Sequence, residues 1–136
     1  MRVILLMAAV LAVAGPAEAR SKAAQYLIDQ EIAEACSGRG TIDGYGAVER
    51  DLTGDGRDDL IIFHDAISCE TSVRSGFCGM QLCALKIYVR RGNLLKLEVD
   101  MMSVALEVSN DAVPTIGLAS HGGESHSIRW DGKRFR

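Results

Sequence analysis

A change in hydrophobic periodicity near Gly40 constrains the fold of this chain more than any other feature of its sequence. Before it, residues 22–36 repeat apolar side chains at steps of three and four, which is typical of one face of an α-helix. Ser21 precedes this segment as a candidate N-cap, and Gly38 follows it as a helix-ending residue. We therefore predict one helix over residues 22–36.

After Gly40 the sequence consists of short apolar runs separated by turn residues, a pattern that predicts antiparallel strands. Asp131-Gly132 is a strong hairpin signal because it separates two short runs that contain Trp130 and Phe135. We expect an α+β fold, with the N-terminal helix packed on one antiparallel β-meander sheet of about six or seven strands. The predicted strands lie near residues 42–50, 59–66, 84–91, 94–101, 103–108, 113–119 and 125–130.

Residues 1–19 have the three parts of a secretory signal peptide. Arg2 gives a positive start, residues 3–14 form an uncharged apolar run, and Ala17-Glu18-Ala19 fits a cleavage site. This run is shorter than the roughly 20 residues that a spanning helix needs, which disfavours a retained anchor, and no later segment is a candidate span. We predict cleavage after Ala19 and a single domain, residues 20–136, that is periplasmic or secreted.

All four cysteines follow the predicted signal, and an exported protein meets an oxidising compartment. Their even number favours two disulfides over a zinc site, because no pair has the C-x-x-C spacing of zinc ligands. Of the possible pairings we prefer Cys78–Cys83, which closes a short loop, together with Cys36–Cys69. The net charge of −3 argues against a general nucleic-acid-binding protein, which needs a basic surface.

The clearest chemical signal is the segment Asp51–Asp59, which we call the aspartate loop. Calcium takes about six to eight oxygen ligands, and a chain that wraps around the ion presents them at alternate positions. The loop has this alternation, and Gly56 stands where the chain must turn sharply. The spacing predicts a structural calcium site whose ligands are Asp51, Thr53, Asp55, Asp59 and the carbonyl of Arg57.

The loop differs from an EF-hand, because Ile62 stands where that motif has a glutamate. The stretch DLTGDGRDDLII, residues 51–62, resembles the aspartate loops of FG-GAP/VCBS-type repeats, which join adjacent strands in integrin-like propellers and in many bacterial exported proteins. The resemblance implies the same five calcium ligands, although Thr53 replaces the usual Asn or Asp. No internal repeat is visible, so we do not expect a complete propeller. The alternative is an acidic turn without metal.

The mature chain contains no recognisable catalytic set. The serines lack a G-x-S-x-G elbow, and the spacing of His121 and His126 fits a polar turn better than a metal site. We therefore predict a non-enzymatic exported protein, stabilised by calcium, that binds an envelope protein or polymer. The alternatives are a small envelope hydrolase, with either histidine near Glu124 and an exposed serine, or a hydrolase inhibitor that presents residues 68–82.

Overall fold

The computed structural model describes residues 19–136, so the predicted signal peptide lies outside the described residues except for Ala19. No helix in the described part is long and apolar enough to cross a membrane. The elements in chain order are α1 (Lys22–Cys36), β1 (Gly40–Ile42), β2 (Ala47–Arg50), β3 (Asp59–Phe63), β4 (Ile67–Cys69), β5 (Cys83–Arg91), β6 (Leu94–Ser103), β7 (Leu106–Val108), β8 (Thr115–Ala119) and β9 (Ser125–Arg129).

The helix begins and ends where the sequence predicts. The Ser21 side chain caps the first turn by accepting a hydrogen bond from the backbone N–H of Ala24 at 3.2 Å. Ser37 ends the helix in a left-handed conformation with φ of 47°. The apolar face places Ala24 and Ile28 fully inside the protein, which fixes α1 against the sheet.

The strands form three antiparallel sheets, so the α+β class is confirmed but a single sheet of six or seven strands is not. The central sheet has the order β2-β3-β5-β6, β7-β8-β9 form a second sheet, and β1 pairs with β4. The predicted strand 42–50 is interrupted by a short 3-10 helix, Gly44–Gly46. The predicted strand 59–66 ends earlier, at Phe63, where a second 3-10 helix, His64–Ala66, begins. Ser103 is fully buried at the corner where β6 ends, and its hydroxyl bonds the backbone of Ala105 and Ala119.

Every residue of β3 is buried because both faces of the central sheet are covered. Alternate side chains of the strand therefore enter two different cores. The core between the two larger sheets contains Leu52, Ile61, Phe63, Leu85, Ile87, Ile116 and Leu118. The core between the central sheet and α1 contains Ala24, Ile28, Ala47, Leu60, Ile62 and Tyr88. The aspartate loop, which precedes β3, is thus anchored to the most buried strand.

Two disulfides supplement these cores, and they are the two pairs preferred from the sequence. Cys36–Cys69 joins the end of α1 to β4, and Cys78–Cys83 closes a loop immediately before β5. We call residues 70–82 the cysteine loop. Its segment Gly76–Cys78 is also bonded to the body of the protein, since the N–H of Gly76 donates to the Ala35 carbonyl at 2.8 Å.

Candidate functional site

The aspartate loop joins the paired strands β2 and β3, and the Asp51 carboxylate lies at its centre. Asp51 Oδ1 accepts hydrogen bonds from the N–H groups of Thr53 at 3.0 Å and Gly54 at 2.7 Å. Its Oδ2 accepts the N–H of Gly56 at 2.7 Å. Gly54 and Gly56 have φ of 79° and 81°, a conformation that glycine adopts without strain. The loop therefore folds around the first predicted ligand.

The Asp59 carboxylate is fully buried beneath the loop. Oδ2 accepts the N–H of Leu52 and Oδ1 accepts the N–H of Arg90, each at 2.8 Å. Burial raises the pKa of Asp59, the two backbone hydrogen bonds oppose this shift, and the nearby charges of Asp55 and Asp51 add to it. Asp59 thus ties the start of the loop to β5 while it carries a poorly compensated negative charge.

Asp55 is paired with Arg57 in the described structure. Its Oδ1 accepts the Arg57 N–H at 2.9 Å, and Oδ2 lies 3.1 Å from Arg57 Nη2. The backbone hydrogen bond from Arg57 is the main reason that the pKa of Asp55 is lowered. The Thr53 hydroxyl is directed to Asp51 Oδ1, at 3.5 Å. The predicted ligands therefore share one loop, but they face different partners.

Within residues 19–136, no group of three or more His, Cys, Asp or Glu side chains is arranged to hold a metal. The donor types nevertheless fit calcium, since carboxylate, hydroxyl and carbonyl oxygens are the ligands of that hard cation. The charges of Asp55 and Asp51 also raise the pKa of Asp59, which indicates an excess of negative charge around that carboxylate. An ion could bind there only if the Asp55 carboxylate released the Arg57 side chain and bound the ion instead. The bound ion would then cross-link the residues of the loop.

A buried polar cluster that the sequence did not predict connects α1, β5, the cysteine loop and the 3-10 helix that begins at His64. We call Glu31, His64, Ser75, Lys86 and Tyr88 the Glu31 network. The Glu31 carboxylate accepts from Lys86 Nζ at 2.7 and 2.8 Å and from the Tyr88 hydroxyl at 2.9 Å. His64 Nε2 lies 3.0 Å from Glu31 Oε2, and its Nδ1 lies 2.8 Å from Ser75 Oγ.

The charge on Glu31 is well compensated. Burial alone raises its pKa, but hydrogen bonds from His64, Lys86 and Tyr88 and the Lys86 charge outweigh burial and lower the pKa to about 2. Burial, together with the hydrogen bond to this carboxylate, raises the pKa of Tyr88. Glu31 is thus an ionised side chain in the interior that holds three other side chains in place.

Ser75, His64 and Glu31 are hydrogen-bonded in the order of a hydrolase triad. Because an ionised carboxylate can only accept, we assign a proton to His64 Nε2, which donates to Glu31. Ser75 Oγ also accepts the N–H of Phe77 at 3.1 Å. However, Ser75 is only 3% exposed and His64 is completely buried. The N–H of Gly76 donates to the Ala35 carbonyl, so it does not serve an oxyanion. In this arrangement the network is a structural polar core.

The residues proposed for the alternative hydrolase do not form one site in the described structure. Ser120 Oγ lies 3.4 Å from His126 Nδ1 at the surface, while Glu124 contributes its backbone carbonyl to the N–H of Ser120 at 2.8 Å. His121 instead lines an apolar groove next to Met80. Among residues 19–136, no carboxylate is hydrogen-bonded to His126 in the way that nucleophilic catalysis requires.

The cysteine loop borders two shallow grooves that meet at Gly79 and Met102. The first has a volume of about 450 Å³ and contains Lys86 and Asp100 among mainly apolar residues. The second, of about 260 Å³, is lined by apolar surface. Met80, at the tip of the loop, is 98% exposed. An ordered loop therefore presents apolar side chains to solvent.

Comparisons with known proteins found no relative of this chain. No protein-family model, no curated protein and no solved structure matches the chain.

Proposed function

We propose that this protein is an exported, non-enzymatic domain that binds another component of the cell envelope and is stabilised by calcium at the aspartate loop. The cysteine loop carries the binding role, because an exposed methionine on a rigid loop has no evident part in the fold and is typical of interaction surfaces. Two disulfides are compatible with an oxidising, extracytoplasmic compartment.

The cysteine loop is ordered by several independent contacts. In addition to the disulfide, Arg74 Nη1 donates to the Gly79 carbonyl at 2.9 Å, and the N–H of Ala84 donates to the Phe77 carbonyl at 3.0 Å. Ser75 is fixed by the Glu31 network beneath it. A loop that is rigid before binding loses little conformational entropy on binding, which favours a recognition role.

The calcium role rests on the charge balance of the aspartate loop. The charges of Asp51 and Asp55 act on Asp59, which is buried without a cationic partner within 4 Å in the described residues. A divalent cation would compensate this charge and connect the loop residues. Calcium would therefore act on stability and would not take part in a reaction.

The binding role is tested with a photo-crosslinking amino acid placed at exposed positions on opposite sides of the protein, such as Met80, Leu94 and Lys133. We expect a discrete envelope adduct from at least one position in the exporting cell. If no position gives an adduct, the binding role is wrong. N-terminal sequencing of the exported protein tests processing, and a start other than Arg20 would contradict the predicted cleavage after Ala19.

A second candidate is an inhibitor of an envelope hydrolase, because inhibitors present a rigid, projecting loop and the cysteine loop has these properties. In that case the crosslinked partner is a hydrolase whose activity falls on stoichiometric addition of the purified protein. If the hydrolase is fully bound by the purified protein and its activity is unchanged, the protein is a binding partner and not an inhibitor.

A further inference from the structure

We propose that the binding face consists of the two grooves and the adjacent edge of β6, and that it receives an extended polypeptide segment with an apolar side chain next to a lysine or arginine. This inference rests on the proposed binding function and specifies its partner. Three properties of the face support this inference: its exposed apolar surface, its open strand edge and its charge.

The apolar surface fits a macromolecule better than a small ligand. Met102 is 45% exposed and Phe77 is 41% exposed, and each lines a groove that is open to solvent. Small-molecule sites enclose most of the ligand surface, whereas both grooves are open to solvent and Met80, which lines the second groove, is almost fully exposed. Only a partner that also covers the loop removes Met80 from water, with the free-energy gain of apolar burial.

The open strand edge specifies an extended polypeptide. β6 is an edge strand of the central sheet, and in the described chain it pairs with β5 alone. Its outward N–H and C=O groups are therefore free to bond an added strand, which is a common mode of peptide recognition. Asp100 and Met102 of β6 line the first groove, so an added strand at this end would place side chains there.

The charge of the face specifies a basic residue in the partner. Asp100 is exposed and has no ion pair within 4 Å among the described residues. Lys86, its cross-strand neighbour, is directed to Glu31, at 2.7 and 2.8 Å. The unpaired carboxylate at the groove therefore favours a lysine or arginine and disfavours an acidic segment.

A selection experiment tests this partner chemistry. Random dodecapeptides displayed on phage are selected against the oxidised, processed protein and counter-selected against Met80→Ser, a change that removes an exposed side chain without a role in the core. We expect enriched peptides with an apolar residue next to a basic one. Synthetic versions should bind Met80→Ser and Asp100→Asn about tenfold more weakly than the unchanged protein. Leu94→Ser is the matched control, since Leu94 is exposed at the other end of β6.

The outcomes separate this inference from the proposed function. The inference is overturned if no peptide survives counter-selection, if acidic peptides are enriched, or if binding is equal in Asp100→Asn. A stable dimer in light scattering that is abolished by Met80→Ser would also overturn it, because a second copy would then cover the face. If an envelope adduct forms at Lys133 but not at Met80, the protein does bind an envelope component, but the binding face is not at the two grooves.

Discussion

The Glu31 network and the aspartate loop both hold a buried carboxylate, but the pKa values of the two carboxylates are shifted in opposite directions. The pKa of Glu31 is lowered to about 2, whereas burial raises the pKa of Asp59. Glu31 receives the Lys86 ammonium, the Tyr88 hydroxyl and a His64 ring nitrogen. Asp59 receives two backbone N–H groups and has two aspartates nearby.

The comparison shows that the partners, and not burial alone, decide the direction in which the pKa of a buried carboxylate shifts. Three side-chain hydrogen bonds and the Lys86 charge outweigh burial at Glu31, whereas two backbone hydrogen bonds do not outweigh it at Asp59. Lys86 provides a full positive charge to Glu31, while backbone amides provide Asp59 with dipoles only. A calcium ion at the aspartate loop would supply the charge that Lys86 supplies to Glu31. Glu31 thus has a cationic partner that Asp59 lacks among the described residues, and this difference can be tested.

Removal of the Glu31 carboxylate is expected to have the largest effect. Glu31→Ala leaves Lys86 and His64 without their buried partner, which should lower the free energy of unfolding by about 3–5 kcal/mol. Urea denaturation measures the change. Glu34→Ala, at an exposed position of the same helix, should change it by less than about 0.5 kcal/mol. Equal effects of the two variants would show that the network contributes little.

The pH dependence of stability examines the same carboxylate without removing it. The folded pKa of Glu31 lies below its ordinary value of 4.5, so the stability from the ionised form is present above pH 4.5 and is lost as pH falls towards 2. The loss should reach about 3 kcal/mol. Urea denaturation across this range should show the loss in the unchanged protein and a smaller one in Glu31→Gln. Parallel curves would contradict the assignment.

Asp59→Ala should destabilise the protein by about 2–3 kcal/mol, because the N–H groups of Leu52 and Arg90 lose their acceptor. Asp58→Ala is the matched control, since Asp58 is the adjacent, exposed carboxylate. Thermal unfolding measures both. If the two substitutions have the same effect, Asp59 is not the anchor of the loop.

Calcium addition tests the aspartate loop directly. With a Kd near 1 mM, calcium at about ten times that concentration should stabilise the fold by about 1.4 kcal/mol, or raise Tm by about 5 °C relative to chelator. Asp55→Asn should abolish this shift and Asp58→Asn should retain it. An unchanged Tm for the unsubstituted protein would exclude calcium as a stabiliser.

Arg57→Ala should give the smallest effect and sharpen the charge comparison. The substitution keeps the backbone carbonyl but removes the side chain that pairs with Asp55 at 3.1 Å and competes with the ion. Because an exposed ion pair is worth about 0.2–1 kcal/mol, calcium affinity should rise by about 1.4- to fivefold. Isothermal titration calorimetry measures the affinity. Weaker calcium binding in this variant would mean that Arg57 assists the site.

The two regions also differ in how far the sequence predicts them. The aspartate loop is local, since Asp51 bonds residues within five positions of itself, and its alternating pattern is readable along the chain. The Glu31 network joins residues up to 57 positions apart, so no spacing rule finds it. One signal was available: Glu31 lies on the apolar face of α1, between Ile28 and Ala35. A glutamate at such a position requires buried partners.

Sequence alone determined the helix bounds, most strand positions, the Cys78–Cys83 pair and the place of the aspartate loop, because these depend on periodicity, turn residues and short spacing. Cys36–Cys69, whose residues lie 33 positions apart, followed only as the remaining pair. Tertiary structure decided the division into three sheets, since both faces of the central sheet needed apolar cover. It also decided which carboxylate gains a cation: Lys86 and Glu31 meet only when β5 packs on α1. Such a meeting depends on packing, which local sequence does not encode.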